Sequence, residues 1–464
     1  MVESTVNLKE TPVKKVFLSY LIPSIVGMLL MSVNILVDGI FVSQGVGENA
    51  LAGVNIAVPI YSILLSISLW VGMGGATLYS ISLGKNKVRQ AQSIFTLSVI
   101  ISITIVGLLI LLGLWKETEL AYFFGANEHI LPYVVDYLHI ILLFGLIFMM
   151  ENILSIFVRN DGNPKLAMMA LIITAVLNIV FNYIFIFALQ WGVEGAAYAT
   201  VLATAIGFFV LATHFLRKQS ILQFVKIKLD WMLMRHILNI GFPSFIVEGA
   251  TAILTMGYNI AFMHFTGELG VTSFAVVNYI HVMMLLVFIG VGAALQPIAS
   301  FHYGARLFSR LHSFLRLAII TAIGVGGAIV ILGWSFGELF VAMFGIQSQE
   351  VYEFTIKGMS LFFIGYFFMG YNVVYIEFFQ ATRKIRLAVI IVLMKSTILL
   401  LPLLWILPQM LGETGIWLAL PVSEGITALG LWIWNRHNNP IAFPNGTLSG
   451  RDMLDSNVLV NREA

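Results

Sequence analysis

The stretch Asn34-Ile-Leu-Val-Asp38-Gly-Ile-Phe41 sets the reading of the whole chain. It places an amide and a carboxylate one helical turn apart, on one helix face. Both lie near the end of a first apolar segment that begins after Lys14 and Lys15 and runs to about Gln44. Crossing a bilayer takes about 20 apolar residues, and this segment is long enough. A carboxylate inside such a span costs about 2.5–3.5 kcal/mol on insertion scales. It normally faces a bundle interior or water and marks an ion or substrate pathway. Asp38 is therefore expected to be a proton or sodium site in a secondary transporter.

The rest of the composition agrees with a membrane chain. Of 464 residues, 59% are hydrophobic and 10% charged, against about 25% charged in soluble domains. Mean hydropathy is +0.95. A transmembrane β-barrel would alternate apolar and polar residues in short strands; here the apolar runs are long and continuous. The expected class is an all-α polytopic membrane protein. A net charge of +2 gives no support for nucleic-acid binding, and the absence of cysteine excludes disulfides and thiolate chemistry. Lys9, Lys14 and Lys15 precede the first span without a short apolar core and small-residue cleavage site, so that span is expected to be retained.

Twelve apolar runs fall at about 16–42, 50–82, 92–115, 130–157, 166–189, 195–216, 236–262, 271–300, 314–335, 351–379, 386–409 and 414–435. Of the 25 Lys and Arg residues, 22 lie in the terminal segments or in alternate loops on one side. Only Lys116 and Lys357 lie near the other side, and Lys395 is within a span. Under the positive-inside rule both termini of this multi-pass chain are expected to be cytoplasmic. The halves repeat: Ile22-Pro23-Ser24 matches Phe242-Pro243-Ser244, Gly84 matches Gly304 and Asn160 matches Gln380, each 220 residues apart. Six spans per half is even, so the halves insert alike, as parallel repeats about an axis along the membrane normal. The expected organisation is a six-helix lobe at 1–220, a second at 221–436 and a polar cytoplasmic tail at 437–464, where Asn445-Gly446-Thr447 forms an irrelevant sequon.

Six acids fall within spans: Asp38, Asp136, Glu151, Glu248, Glu377 and Glu424. A carboxyl there can trade a proton, or hold sodium if other oxygens join it. Glu377, near Arg383 and Lys384, and Glu151, near Arg159 and Asp161, read as interfacial ion pairs before they read as substrate sites. Glu248 reads equally well as a buried packing carboxylate. Glu248, Glu377 and Asn278 are the candidate substrate contacts. Lys395 either pairs with a buried acid or snorkels toward headgroups. Asn178 and Asn182 share a face of the fifth span, where amides either ligate an ion or bond between helices. Asn34 is the same-helix neighbour of Asp38. The glycine clusters 72–75 and 324–327 sit inside spans and suit close helix packing, not nucleotide binding. The sequence has no Walker loop, no His-Glu-x-x-His and no clustered histidines, so no cofactor is expected beyond a coupling ion.

Two six-span halves, Ile22-Pro23-Ser24 opening the first span and Asp38 closing it resemble the multidrug and toxic compound extrusion (MATE) transporters. So do Asn178-Ile-Val-Phe-Asn182, Gly192-Val-Glu-Gly-Ala-Ala-Tyr-Ala-Thr200 and Gly241-Phe-Pro-Ser244. The resemblance covers about residues 12–436 and is nearest to the prokaryotic DinF-like or MepA-like branch. It implies a V-shaped pair of lobes that exports organic cations and drugs in exchange for protons or sodium. It also implies an ion site at Asp38, Asn178, Asn182 and Thr200, with sodium held by the first three. Where relatives often carry Asp, Asn182 removes one charge from that site. The expected partners are the bilayer and small cationic substrates, and the expected state is a monomer. Competing readings are a flippase for lipid-linked precursors, which needs a strongly charged cavity, and a membrane-embedded enzyme acting on lipids, which needs clustered catalytic groups.

Overall fold

A computed structural model describes residues 8–344, 346 and 348–438. The expected tail lies outside the described residues from position 439 onward. In hydrocarbon every backbone group must find its partner within the segment, so long apolar runs resolve into helices. The first half holds α1 (Val13–Gly45), α2 (Glu48–Gly84), α3 (Val88–Trp115), the short α4 (Glu117–Phe123), α5 (Leu131–Leu143), α6 (Gly145–Asn160), α7 (Pro164–Asn182) and α8 (Gly192–Ala212). The second holds α9 (Trp231–Thr266), α10 (Glu268–Gly304), α11 (Phe308–Ala342), α12 (Gln349–Phe362), α13 (Tyr366–Ala381), α14 (Ile385–Leu393), α15 (Leu400–Leu411) and α16 (Glu413–Asn438). Among the described residues, 11 helices are long and apolar enough to span a membrane, and α5 with α6, bent by 53°, makes a twelfth. The expected all-α polytopic architecture is what the chain forms.

The duplication reaches the backbone. Gly47 (φ 120°) recurs as Gly267 (φ 65°), Gly192 (φ 61°) as Gly412 (φ 60°), and Asn86 (φ 59°) as Arg306 (φ 57°). Each pair is 220 residues apart, so the left-handed turns that end the helices repeat with the helices. Glycine takes this conformation without steric cost. Asp230 caps α9 by accepting from Met232 N at 2.9 Å and Leu233 N at 3.1 Å, as N-cap carboxylates do.

The first helix of each half is shared. Val16, Phe17, Tyr20 and Leu21 of α1 are buried in a core built otherwise from the second half, beside Leu295, Phe314 and Phe379. Ile237 of α9 is buried in the core of the first half, beside Val71, Phe95 and Phe157. Farther along, α1 packs on α7, and Leu254 and Tyr258 of α9 return to the second half. The halves interlock on the side of the basic loops. There Gly74 lies against Ile237 and Gly241, and Gly84 against Phe301 and Gly304. The 72–75 cluster serves helix packing as expected. In 324–327 only Gly326 does, against the Tyr366 backbone; Gly324 and Gly327 have open space beside them.

Candidate functional site

The carboxylate of Asp38 is met by α7. Asn182 Nδ2 donates to Asp38 Oδ1 at 2.6 Å and to Asn178 Oδ1 at 3.1 Å. Asn34 Nδ2 donates to the same Asn178 oxygen at 2.8 Å, and Asn178 Nδ2 donates to Thr200 Oγ1 at 3.1 Å. All five residues singled out for this lobe form one connected polar chain between α1, α7 and α8. The helical period places Asn178 above Asn182 and Asn34 above Asp38, so the two amide–polar faces meet. Directly after Asn182 the helix widens into a π-helical turn over Tyr183–Ala188; such turns are frequent at functional sites.

Two features bear on what this cluster can do. Asn182 is fully buried, and its Oδ1 has no hydrogen-bond partner. A buried, unpaired polar oxygen costs about 1–3 kcal/mol. In addition, no basic side chain forms an ion pair with Asp38 among the described residues. The donor set is oxygen only, from one carboxylate and neutral amides and hydroxyls. That chemistry suits a proton or a hard monovalent cation, not a transition metal, and no group of three or more His, Cys, Asp or Glu capable of holding a metal occurs among the described residues. Sequence reasoning missed Tyr61 and Tyr137. Both lie close enough to feel the Asp38 charge, and the Tyr137 hydroxyl lies against Thr200. Aromatic residues in apolar spans carry no sequence signal that separates them from lipid-facing ones.

The second lobe has a cavity lined by Thr251, His281, Glu377, Lys395 and Glu424 among aliphatic side chains. Lys395 Nζ pairs with Glu424 Oε1 at 2.7 Å, which settles the choice between pairing and snorkelling. Glu377 faces this cavity with Oε2 unpartnered. The charge acting on it is Arg159 of the other lobe, not the expected Arg383 or Lys384, because α6 and α13 end on the same side of the lobe boundary. The other two candidate substrate contacts, Glu248 and Asn278, are half-buried and outside the lining. Glu151 accepts from Thr174 Oγ1 at 2.7 Å, within its own lobe.

Asp161, named in the sequence only as a neighbour of Glu151, is a buried hub. Its Oδ1 accepts from Tyr79 Oη at 2.6 Å, and its Oδ2 from His214 Nε2 at 2.8 Å and Ile221 N at 3.0 Å. It thereby pins the segment between the lobes to the end of α6.

A family model described as MatE matches the chain twice, over residues 23–184 and 243–406. The chain is similar to the multidrug export protein MepA of Staphylococcus saprophyticus, 22% identical over 438 residues that cover 92% of this chain and 94% of that one. It is similar to MepA of Staphylococcus aureus at 23% identity, with the same coverage. Among solved structures, it resembles a MATE crystallised in complex with MaL6 and the outward-facing conformation of a multidrug resistance MATE family transporter of the MOP superfamily. Both have a TM-score of 0.88 at 22% identity, covering 94% of this chain and 98% of theirs. A MOP superfamily transporter from Pyrococcus furiosus, noted for reverse polarity of its binding pocket, superposes equally well at 0.88 and 22% identity. These likenesses cover both lobes and the fold as a whole.

Proposed function

The chain belongs to the MatE family, and from that premise we propose that it is a secondary active multidrug exporter. It moves organic cations outward by proton or sodium antiport as its two lobes alternate. The observation that carries this reading is Asp38: a carboxylate within a span, bonded at 2.6 Å to an amide, beside a buried amide oxygen with no partner. The named export activity of the staphylococcal relatives supports the substrate class. The one-sided distribution of basic residues supports a reading with both termini in the cytoplasm of a prokaryotic cell, with the protein working as a monomer in its bilayer. The lobes divide in the segment between α8 and α9.

Asn182 gives the exchange its chemistry. With Asp38 ionised, the Asn182 N–H points at the carboxylate. Half a turn of the amide would bring Oδ1 there instead. A protonated Asp38 could then donate to it, or Asp38, Asn182 and Asn178 could hold sodium through oxygen. Either cation neutralises the one full charge of this cluster, and the amide face it presents to α1 changes with it. Substrate and cation thus compete for one buried charge. The flippase reading needs a surplus of positive charge in the cavity, whereas Lys395 is matched there by Glu424.

Right-side-out vesicles loaded with a fluorescent organic cation test the proposal, with an inward proton gradient and then an inward sodium gradient applied. Asp38→Asn is expected to insert and fold but to lose gradient-driven efflux. Full efflux by that variant would overturn the assignment.

A further inference from the structure

Each lobe carries a carboxylate bonded to a buried amide, at positions that the 220-residue repeat does not relate, and one of the two is closed by a cation. In the first, Asp38 accepts from the Asn182 amide at 2.6 Å, and Asn182 Oδ1 is buried without a partner. In the second, Glu424 Oε2 accepts from the Asn372 amide at 2.6 Å, and Asn372 Oδ1 is likewise buried without a partner. Asn182 abuts the π-helical turn Tyr183–Ala188, and Lys395 sits within the π-helical turn Met394–Ile398. The difference is a cation. Lys395 Nζ lies 2.7 Å from Glu424 Oε1, with the two side chains 13% and 2% exposed. Ser423 Oγ donates to the Lys395 carbonyl at 2.6 Å, fixing the backbone from which that ammonium projects.

We propose that the second lobe holds a built-in cation: the Lys395 ammonium permanently fills the carboxylate–amide site of Glu424 and Asn372. Glu424 then contributes no exchangeable ion, and the cation-to-substrate ratio is set without it. The physical basis is desolvation. A buried carboxylate without a counter-charge is strongly unfavourable, and breaking such a pair from one side leaves that charge uncompensated. Glu424 without Lys395 must therefore take up a proton or a small cation, whereas with Lys395 it has no vacancy. A tethered ammonium cannot dissociate during a cycle, so it neutralises the site without moving charge across the membrane. The inference rests on Asp38 being the exchanging site, and the test separates the two.

Equilibrium binding of radioactive sodium and proton uptake would be measured on the purified full chain, with Asp38→Asn, Lys395→Met, Lys395→Arg and the double variant Lys395→Met/Glu424→Gln alongside. Lys395→Met is expected to gain one sodium or proton per chain over the parent, and to keep that gain when Asp38→Asn is added. The gain should vanish in the double variant and be absent from Lys395→Arg. Should Lys395→Met not fold, the double variant decides. It replaces the pair by neutral groups of similar volume, a change that buried pairs commonly tolerate. Its cation-to-substrate ratio in proteoliposomes, read from the gradient at which net flux stops, is expected to equal that of the parent. No gain in Lys395→Met, or a lowered ratio in the double variant, overturns the proposal. Unchanged coupling in Asp38→Asn overturns the first-lobe reading instead.

Discussion

On the proposed antiport, a single amide decides which cation the first lobe can use. Asn182 is both the donor to Asp38 and the owner of the unpartnered oxygen. A proton needs only the Asp38 carboxylate, but sodium needs several oxygens at once. Asn182→Ala removes one of them. Hydrogen bonds and contacts to charged groups are worth about 1.5–3 kcal/mol, or roughly 10–150-fold in affinity. Sodium binding to Asn182→Ala is thus expected to weaken by about that factor, with proton-driven efflux retained. Asn182→Asp puts a second carboxylate within hydrogen-bond distance of the first, and two like charges sharing a site hold a cation in common. Sodium titration of both variants beside the parent would show opposite changes; parallel changes would contradict the role given to this oxygen. This site was legible in the sequence because a carboxylate in an apolar span is expensive and the two asparagines are four residues apart on one helix. The Lys395–Glu424 pair was not. Its members are on different spans 29 residues apart, and no periodicity links two helices that meet only by packing.

Helices show where local reading stops. The run 130–157 reads as one span, yet it is two helices bent by 53° around Phe144. Gly145 opens the second, and any side chain there would press on Ile110 of α3 and Leu64 of α2. The bend is a tertiary fit, which apolar periodicity does not encode. The same holds for the segment between the lobes. Basic residues mark it as a loop, but its attachment depends on Asp161. That carboxylate and its His214 partner are 1% and 3% exposed, so it is a buried carboxylate with several donors. Removing one member of a buried pair typically costs about 3–5 kcal/mol. Asp161→Asn keeps the shape and loses the charge, so its thermal unfolding in detergent should fall well below that of the parent. A surface substitution such as Lys218→Gln should leave it unchanged. Equal loss in both variants would mean that Asp161 is not the anchor of this segment.

Across the whole molecule, the lobes are held together on their basic side by a buried polar seam. Gln296 Nε2 donates to Thr77 Oγ1 at 2.9 Å, Asn160 Nδ2 donates to Gln296 Oε1 at 3.2 Å, and Ser80 Oγ donates to Asn160 Oδ1 at 2.7 Å. Below it, Gly84 and Gly304 let two backbones touch. Opening that side means breaking these bonds and wetting their groups. Against them acts a gathering of like charge: burial, and then the nearby Arg383, Lys87 and Arg306, hold the Lys85 ammonium below its ordinary range. Three of these four sit in loops directly beyond Gly84 and Gly304 on either side of the seam. Polar seam and charge repulsion therefore oppose each other, and the balance sets how readily the lobes part. Gln296→Leu strands Thr77 and Asn160, each partly, at a cost of about 1–3 kcal/mol to the closed arrangement. The population with the basic side parted is then expected to rise about 5–150-fold. The chain has no cysteine, so spin labels placed through Val88→Cys and Ser309→Cys, exposed positions that leave all four charges in place, report that separation directly. Raising salt from about 0.1 M to about 1 M shortens the screening length from roughly 10 Å to 3 Å. It should weaken the repulsion and shift the label distances back toward the shorter value in parent and variant alike. Distances unmoved by Gln296→Leu would show that the seam does not hold the lobes together, and distances unmoved by salt would remove charge repulsion from the balance.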